Sequence, residues 1–576
     1  MALLLKKVER PRDLKWYQAA AMLYGDWGTS KAYVLGIAFA LSGHGSWLLL
    51  GLMSLLTVLV GFCYTIICRV YPDGGGVYSS VKKRSQFVAV IGALLMVADY
   101  VVTASLSSIE AFHYFGFTRP EIWAIGSILV IGALNWFGPT KSGSIALAIG
   151  LLASLSAVVL FGAAIPHLPH VELTRPAGGW MQNWTSFVGI ILALSGVEAV
   201  ANMTGIMERP VSKTSRRAIL PVLIEVAVLT FLLGLSMNAI PGLTNHTEDM
   251  LRALGNHYIG LWYGTLISIV FGFLLLSAAN TAVTGLVSIQ FLMAKDKELP
   301  APFAKLNRYG MPWLSLVVSI AAPILVLIFE QDLVHLAALY AIGVAGAITI
   351  NLNATATDFK LPLRKAERAL LFVGGFIMLA IEITIAFQKF NALVFATIIL
   401  ATGLTLRQLA KIIVAPAITP EIVPSMNVLT VSEAKEIAPL YPSSCLVALK
   451  SMNERLLDEV VLRTKAQHEQ SVYLAYVEES PPAFELPEEM EPSARSIETL
   501  AKIQRHLEAQ GITAIPIWRL GEDPGRLIAD AATELGVSAV MIGATRRSAL
   551  ENLIRGDVLR NLARNLPADC RLLISG

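Results

Sequence analysis

The chain has 576 residues, 55% hydrophobic and 15% charged, with a mean hydropathy of +0.62. A soluble chain carries about 25% charged residues, so a soluble enzyme is excluded and a membrane protein is expected. The net charge of +3 is too small for a nucleic-acid binder, and four cysteines with no Cys-x-x-Cys pair exclude a disulfide-stapled domain and give no transition-metal site.

The charge is unevenly spread. From Glu421 onward there are 22 acids and 16 bases, a soluble density, while the preceding residues are far poorer in charge. A Pro-rich stretch, Ala415-Pro416 to Pro424, separates the two. The expected organisation is a membrane body over 1–415, a linker over 416–426 and a soluble α/β tail over 427–576. Met1 to Lys15 is basic and the apolar run after it is long enough to span, so no cleavable leader is expected.

A bilayer core takes about 20 apolar residues as helix. In chain order, spans are expected near 16–42, 46–70, 86–114, 121–138, 143–165, 182–206, 218–240, 258–292, 313–330, 333–355, 367–388 and 391–410. Alternate loops hold 22 Lys and Arg on one side, beginning with Lys6, Lys7, Arg10, Arg12 and Lys15; the other side holds Arg119, Arg175, Arg252 and Lys389. The basic side is expected to face the cytoplasm. Twelve spans place both termini there, in a cell (inner) membrane.

Two runs carry breaks. The first contains Tyr24-Gly25-Asp26-Trp27-Gly28-Thr29-Ser30-Lys31-Ala32-Tyr33, and the sixth contains Ser195-Gly196-Val197-Glu198. Irregular backbone at membrane depth survives only where it is buried or lines a cavity. Breaks five spans apart are what two inverted five-helix repeats give, with a site between them near the midplane. Close packing of helices through glycine is the simpler alternative for either break alone. Asp26, Asp99 and Glu198 fall inside runs 1, 3 and 6, where an ionised acid is costly unless a cation offsets it. Asp99, Thr103 and Ser107 follow i, i+4, i+8 spacing, a stripe of oxygens on one helix face. Such hard oxygens suit a desolvated alkali cation or a proton. Glu225 is read as near enough to the basic side to snorkel, and Glu382 has no evident partner.

The motif Tyr24-Gly25-Asp26-x-Gly28-Thr29-Ser30-x-x-Tyr33 resembles the span-1 motif of the KUP potassium-uptake family. Further pieces resemble the KimA-like branch of potassium–proton symporters in the amino acid–polyamine–organocation (APC) superfamily: 71–78 (Tyr-Pro-Asp-Gly-Gly-Gly-Val-Tyr), Asp99-Tyr100 with Thr103 and Ser107, Ser195-Gly196-Val197-Glu198-Ala199, Ala279-Asn280-Thr281 and 339–344. The resemblance covers nearly the whole membrane body. It implies a LeuT/APC-type 5+5 inverted repeat with 12 spans, and potassium ligands at Asp26, Tyr33, Thr103, Ser107, Ser195 and Glu198, with Asp99 as the third acid. One residue departs: Lys31 stands where KUP proteins commonly have Pro. Its ammonium can snorkel away, pair with an acid, or act as a coupling proton carrier.

In the tail, strands are expected at 445–449, 472–477, 513–518, 538–542 and 571–575, with helices at 454–465, 493–510, 524–535 and 550–565. Repeated βα units mean a parallel, doubly wound sheet. The run from Met541 to Gly556-Asp557 resembles the universal stress protein family, whose ATP-binding members carry Gly-x-x-Gly-x(9)-Gly-Ser/Thr there. Gly543 and Gly556 are kept; Arg546 replaces the second glycine, Asp557 the hydroxyl residue, and Lys450 stands where an acid usually follows the first strand. Arg546 and Arg547 attract phosphate and Asp557 repels it, so nucleotide binding (ATP, or cyclic di-AMP by the KimA-like resemblance) stands beside a purely structural or dimerising role. Pairing of two tails would make a homodimer.

The function these readings imply is proton-coupled potassium uptake by alternating access with a regulatory tail, needing no cofactor. The alternative is an amino-acid or organic-cation permease of the same superfamily. An enzyme is not expected, since no nucleophile–base pair, metal cluster or intact phosphate loop stands out.

Overall fold

The computed structural model describes all residues except 1–7, 10–11, 138–142, 172, 241, 244–245, 308, 413–427, 438–442, 480–488, 491, 522, 545–555 and 576. The expected linker 416–426, Arg546 and Arg547 therefore lie outside the described residues.

The membrane body is helical. It runs α1 (Trp16–Trp27), α2 (Ser30–Ser42), α3 (Ser46–Val70), α4 (Val77–Val81), α5 (Gln86–Tyr114), α6 (Pro120–Trp136), α7 (Gly143–Ala164), α8 (Trp180–Gly189) and α9 (Ala199–Asn202). It continues as α10 (Val211–Asn238), α11 (Met250–Tyr258), α12 (Leu261–Lys295), α13 (Trp313–Phe329), α14 (Leu333–Thr357), α15 (Lys365–Gln388) and α16 (Phe390–Ile412). Among the described residues, 8 helical stretches are long and apolar enough to cross a membrane, or 9 if the bent pair Trp180–Gly189 and Ile191–Ile206 is one span. The sequence reading of twelve differs for two physical reasons. The 55-residue stretch Trp16–Val70 holds two of the expected runs, and α6 and α13 have 17 residues each, short of a bilayer core. Large apolar side chains such as Leu55, Leu155, Phe273 and Phe376 are exposed on this body, as a lipid-facing surface requires.

Interior packing is tight where glycine faces a neighbouring helix. A Cβ at Gly343 of α14 would meet the Asp99 amide nitrogen of α5 at 2.7 Å. Close approach of this kind sets α14 against the acid-bearing face of α5. On the basic side, Arg12 bonds Asp73, Lys82 bonds Asp296 (2.9 Å), Arg69 bonds Glu367 (2.8 Å), and buried Arg407 pairs with buried Glu298.

In the tail, a sheet of five parallel strands runs in the order β5 (Thr513–Gly521), β3 (Ser471–Glu479), β2 (Cys445–Ala448), β6 (Ala539–Gly543), β7 (Arg571–Ser575). A separate antiparallel pair joins β1 (Val8–Glu9) to β4 (Glu489–Met490). Alternation decides the layers. Val447, Val472, Leu474 and Tyr476 pack with α18 (Glu454–Ala466) and α19 (Ala494–Glu508) on one face. Leu446, Ala448, Tyr473 and Ala475 pack with α17 (Val431–Ile437), α20 (Pro524–Leu535) and α21 (Val558–Asn565) on the other. The helix expected over 550–565 is described only from Val558. Burial pushes the Cys445 thiol up to about 12, so it packs as a small apolar group.

Candidate functional site

The two breaks form differently. At the first, Gly28 and Thr29 keep nearly helical dihedrals. The Thr29 hydroxyl bonds back to the Asp26 carbonyl and the Ser30 hydroxyl to the Trp27 carbonyl (2.7 Å). These hydroxyls satisfy the carbonyls that the interruption frees, so the chain pauses without a sharp bend. At the second, Gly196 has φ +85°, a left-handed conformation open to glycine; the same span bends by 42° six residues earlier, between Trp180–Gly189 and Ile191–Ile206. A Cβ on Gly196 would lie 2.8 Å from Asp26 Cγ and from the Trp27 amide nitrogen. Glycine is thus what lets the second break press onto the first.

This contact gathers the acids. Asp26, Asp99 and Glu198 are each at most 3% exposed and close enough to repel one another. Ser195 donates to Asp26 Oδ1 (3.4 Å), and Thr103 donates to Asp99 Oδ1 (3.2 Å) and to its carbonyl (2.9 Å). The Tyr33 hydroxyl lies 3.4 Å from the Thr29 hydroxyl and faces Asp26 and Asp99. Ser107, one turn beyond Thr103 on α5, is buried and its hydroxyl has no hydrogen-bonding partner among the described residues. The same is true of Asp99 Oδ2 and Glu198 Oε2. The structure therefore brings Asp26, Tyr33, Asp99, Thr103, Ser195 and Glu198 together, with Ser107 at the margin. Sequence reasoning left Tyr340 of α14 out of the site. It is buried, faces Asp99, Glu198 and Asp26, and has a partnerless hydroxyl among the described residues. Its signal was weak, because a tyrosine in an apolar run near glycine reads as packing.

Lys31 does not join this cluster. Its ammonium, fully buried, lies 2.8 Å from both oxygens of Glu225 on α10 and 3.1 Å from the Tyr24 hydroxyl, which itself donates to Glu225 at 2.8 Å. Of the three courses open to Lys31, the structure takes pairing, with a fourth acid rather than with Asp26 or Glu198. The reading of Glu225 as a snorkelling residue is corrected. Helix α10 begins at Val211, because the charged turns around Lys213, Arg216 and Arg217 are helical, so Glu225 stands mid-helix. Glu382 of α15 lies against Gly346 of α14, where a Cβ would come within 3.1 Å of its Oε1, and stays outside the three-acid cluster.

In the tail, a cleft of about 600 Å³ opens at the carboxyl ends of the strands, lined by Lys450, Asn453, Arg495 and Gly543 and by Tyr309 of the membrane body. Strand order reverses there, where such sheets bind ligands. Lys450 is engaged by Glu479 at 2.8 Å. Asp557 caps α21 by accepting from the Arg560 amide (3.1 Å), and so takes a donor that a phosphate at the turn after Gly556 would use.

A family model described as Amino acid permease matches residues 14–416. The chain belongs to the amino acid permease family. It is a multi-pass membrane transporter and not an enzyme. Residues 444–573 match the model of the universal stress protein family. The permease is 25% identical over 365 residues to the potassium transporter KimA of Bacillus subtilis (strain 168), an alignment covering 58% of this chain and 60% of that one. It is 25% identical over 319 residues to the uncharacterized protein MJ0609 of Methanocaldococcus jannaschii, covering 51% and 71%. It is 24% identical over 315 residues to the polyamine transporter RMV1 of Arabidopsis thaliana, covering 50% and 61%.

Proposed function

We propose that this permease takes up potassium together with protons by alternating access across a cell (inner) membrane. The observation that carries the reading is the trio Asp26, Asp99 and Glu198, fully buried, while the one lysine of the break is held by Glu225. Buried carboxylates need a proton, a cation or a cationic side chain. Around the trio stand further oxygens, from Tyr33, Thr103, Ser195 and Tyr340, which suit a cation stripped of water. Similarity to a potassium transporter supports the same reading. An amino-acid substrate would need amide donors for its carboxylate, and the cluster presents acids instead. In this reading α1–α2, α3 and the 17-residue helices each count as crossings, giving twelve spans, a 5+5 repeat and cytoplasmic termini.

Rescue of a potassium-uptake-deficient bacterial strain on low-potassium medium tests it, with labelled amino-acid and putrescine uptake measured in the same cells. Rescue without amino-acid or putrescine uptake is expected. Uptake of either organic substrate without rescue would reject potassium in favour of the permease alternative.

We assign the tail a regulatory and assembly role. Edge strand β5 is covered by a bridge from Leu429 to Ile517, while β7 is the other edge, with Ile574 exposed. An open edge invites pairing with a second copy. The full chain is expected to run as a homodimer in detergent, and a chain ending before residue 428 as a monomer; equal masses per particle by light scattering would reject the assignment. Because Asp557 fills the cap, ATP is expected to leave the melting temperature of the full chain unchanged. Ligand binding at 100 times Kd would contribute about 2.7 kcal/mol, so a clear rise with ATP or cyclic di-AMP would show that the cleft takes a nucleotide.

A further inference from the structure

The cluster does not contain all the buried acid on α5. Glu110 is fully buried, and neither of its carboxyl oxygens has a hydrogen-bonding partner among the described residues. It stands eleven residues after Asp99, which on an α-helix is about 20° around the axis and about 16 Å along it. Glu110 thus continues the face of Asp99, Thr103 and Ser107, on the side of the cluster away from the basic loops. Ser107, one turn before it, contributes a second buried and partnerless oxygen.

The surroundings are acidic. Glu248 and Asp249, in the segment before α11, lie close enough to repel Glu110. Each already has a histidine: His113 of α5 is 2.5 Å from Glu248, and His246 is 3.0 Å from Asp249. The His113 contact holds the Glu248 carboxyl below its usual value, so this acid keeps its charge. The segment closes down on α2, where a Cβ at Gly36 would lie 2.3 Å from the Thr247 carbonyl oxygen. Tyr114, the next turn of α5, spends its proton on the Ala32 carbonyl (2.8 Å), leaving nothing for Glu110. A carboxyl buried beneath a closed acidic cap, with a neighbouring hydroxyl also empty-handed, has the chemistry of a cation-docking position.

We propose that Glu110 and Ser107 form an outer docking position for a desolvated monovalent cation, on the route between the face opposite the basic loops and the Asp26–Asp99–Glu198 cluster. The position rests on the cation-carrier reading given above. It receives the ion as the 246–249 segment opens and passes it along the oxygen stripe of α5 towards Thr103 and Asp99.

The test is rubidium uptake by the full chain in phosphatidylethanolamine–phosphatidylglycerol vesicles, comparing wild type, Glu110→Gln, Ser107→Ala and Asp26→Asn. Glu110→Gln should raise the half-saturating rubidium concentration about tenfold while keeping most of the maximal rate, and Ser107→Ala should raise the half-saturating concentration less. Asp26→Asn should lose the rate itself. A folded Glu110→Gln with wild-type half-saturation overturns the docking position and leaves the carrier reading standing. A wild type that takes up no rubidium overturns both. Should Glu110→Gln fail to fold, carbodiimide modification of Glu110 in the wild type decides. Slower modification in potassium than in choline is expected, and equal modification, or none, overturns the proposal.

Discussion

Asp26→Asn and Glu198→Gln are each expected to lower the rate of potassium uptake by about 100-fold, since bonds to a charged group are worth about 1.5–3 kcal/mol. Neither should unfold the protein. Each amide keeps the volume of the acid it replaces and removes one of three buried like charges, so the potassium-free melting temperature should hold or rise. What should vanish is the increase in melting temperature on adding potassium, because that increase reports binding to the folded state. Asp99→Asn should behave alike, with the Thr103 bond to the side-chain oxygen preserved. Near-normal uptake by both Asp26→Asn and Glu198→Gln would show that the cluster is a buried structural feature and not an ion site.

The second large effect concerns Lys31. Lys31→Met should destabilise the fold by about 3–5 kcal/mol, the usual consequence of removing one partner from a buried pair and leaving the other charge uncompensated. Glu225→Gln should do the same, somewhat less severely because Glu225 is 16% exposed. The double variant Lys31→Met/Glu225→Gln should recover much of the loss, giving a large coupling energy in a double-mutant cycle. Its half-saturating potassium concentration should stay near wild type, since the Lys31 ammonium is seated on Glu225 and Tyr24. If instead Lys31→Met folds normally and binds potassium far more tightly, the ammonium competes with the ion in the acid cluster.

Much of the site was legible because charge is rare in apolar runs: Asp26, Asp99 and Glu198 stand out against their neighbours without any tertiary information. The i, i+4, i+8 stripe on α5 was also local, fixed by helical geometry. Glu110, eleven residues after Asp99 and so three turns along the same face, is a signal present in the sequence but masked by its place near the end of the run. The partner of Lys31 was not legible. Glu225 is 194 residues away, and hydropathy places the start of its helix too late, since the charged first turns of α10 look like loop. The shape of the breaks was half legible. Glycine and hydroxyl residues mark both, but only the structure shows that Thr29 and Ser30 stitch the first one closed while Gly196 turns the second. In the tail, βα alternation gave a parallel sheet, and burial on both faces follows from strands that are near-continuous apolar runs, such as 445–448 and 472–477; the role of Asp557 as a helix cap depends on where α21 begins.

Rubidium flux into vesicles holding the purified full chain, with an imposed pH gradient, acid outside, tests proton-coupled cation uptake most directly. Rubidium should accumulate above its equilibrium level, the rate should quicken as the outside pH falls, and a protonophore should stop the accumulation. Rubidium flux that needs sodium and ignores the pH gradient would contradict proton coupling, and vesicles that take up amino acids or polyamines but no rubidium would contradict the cation site itself.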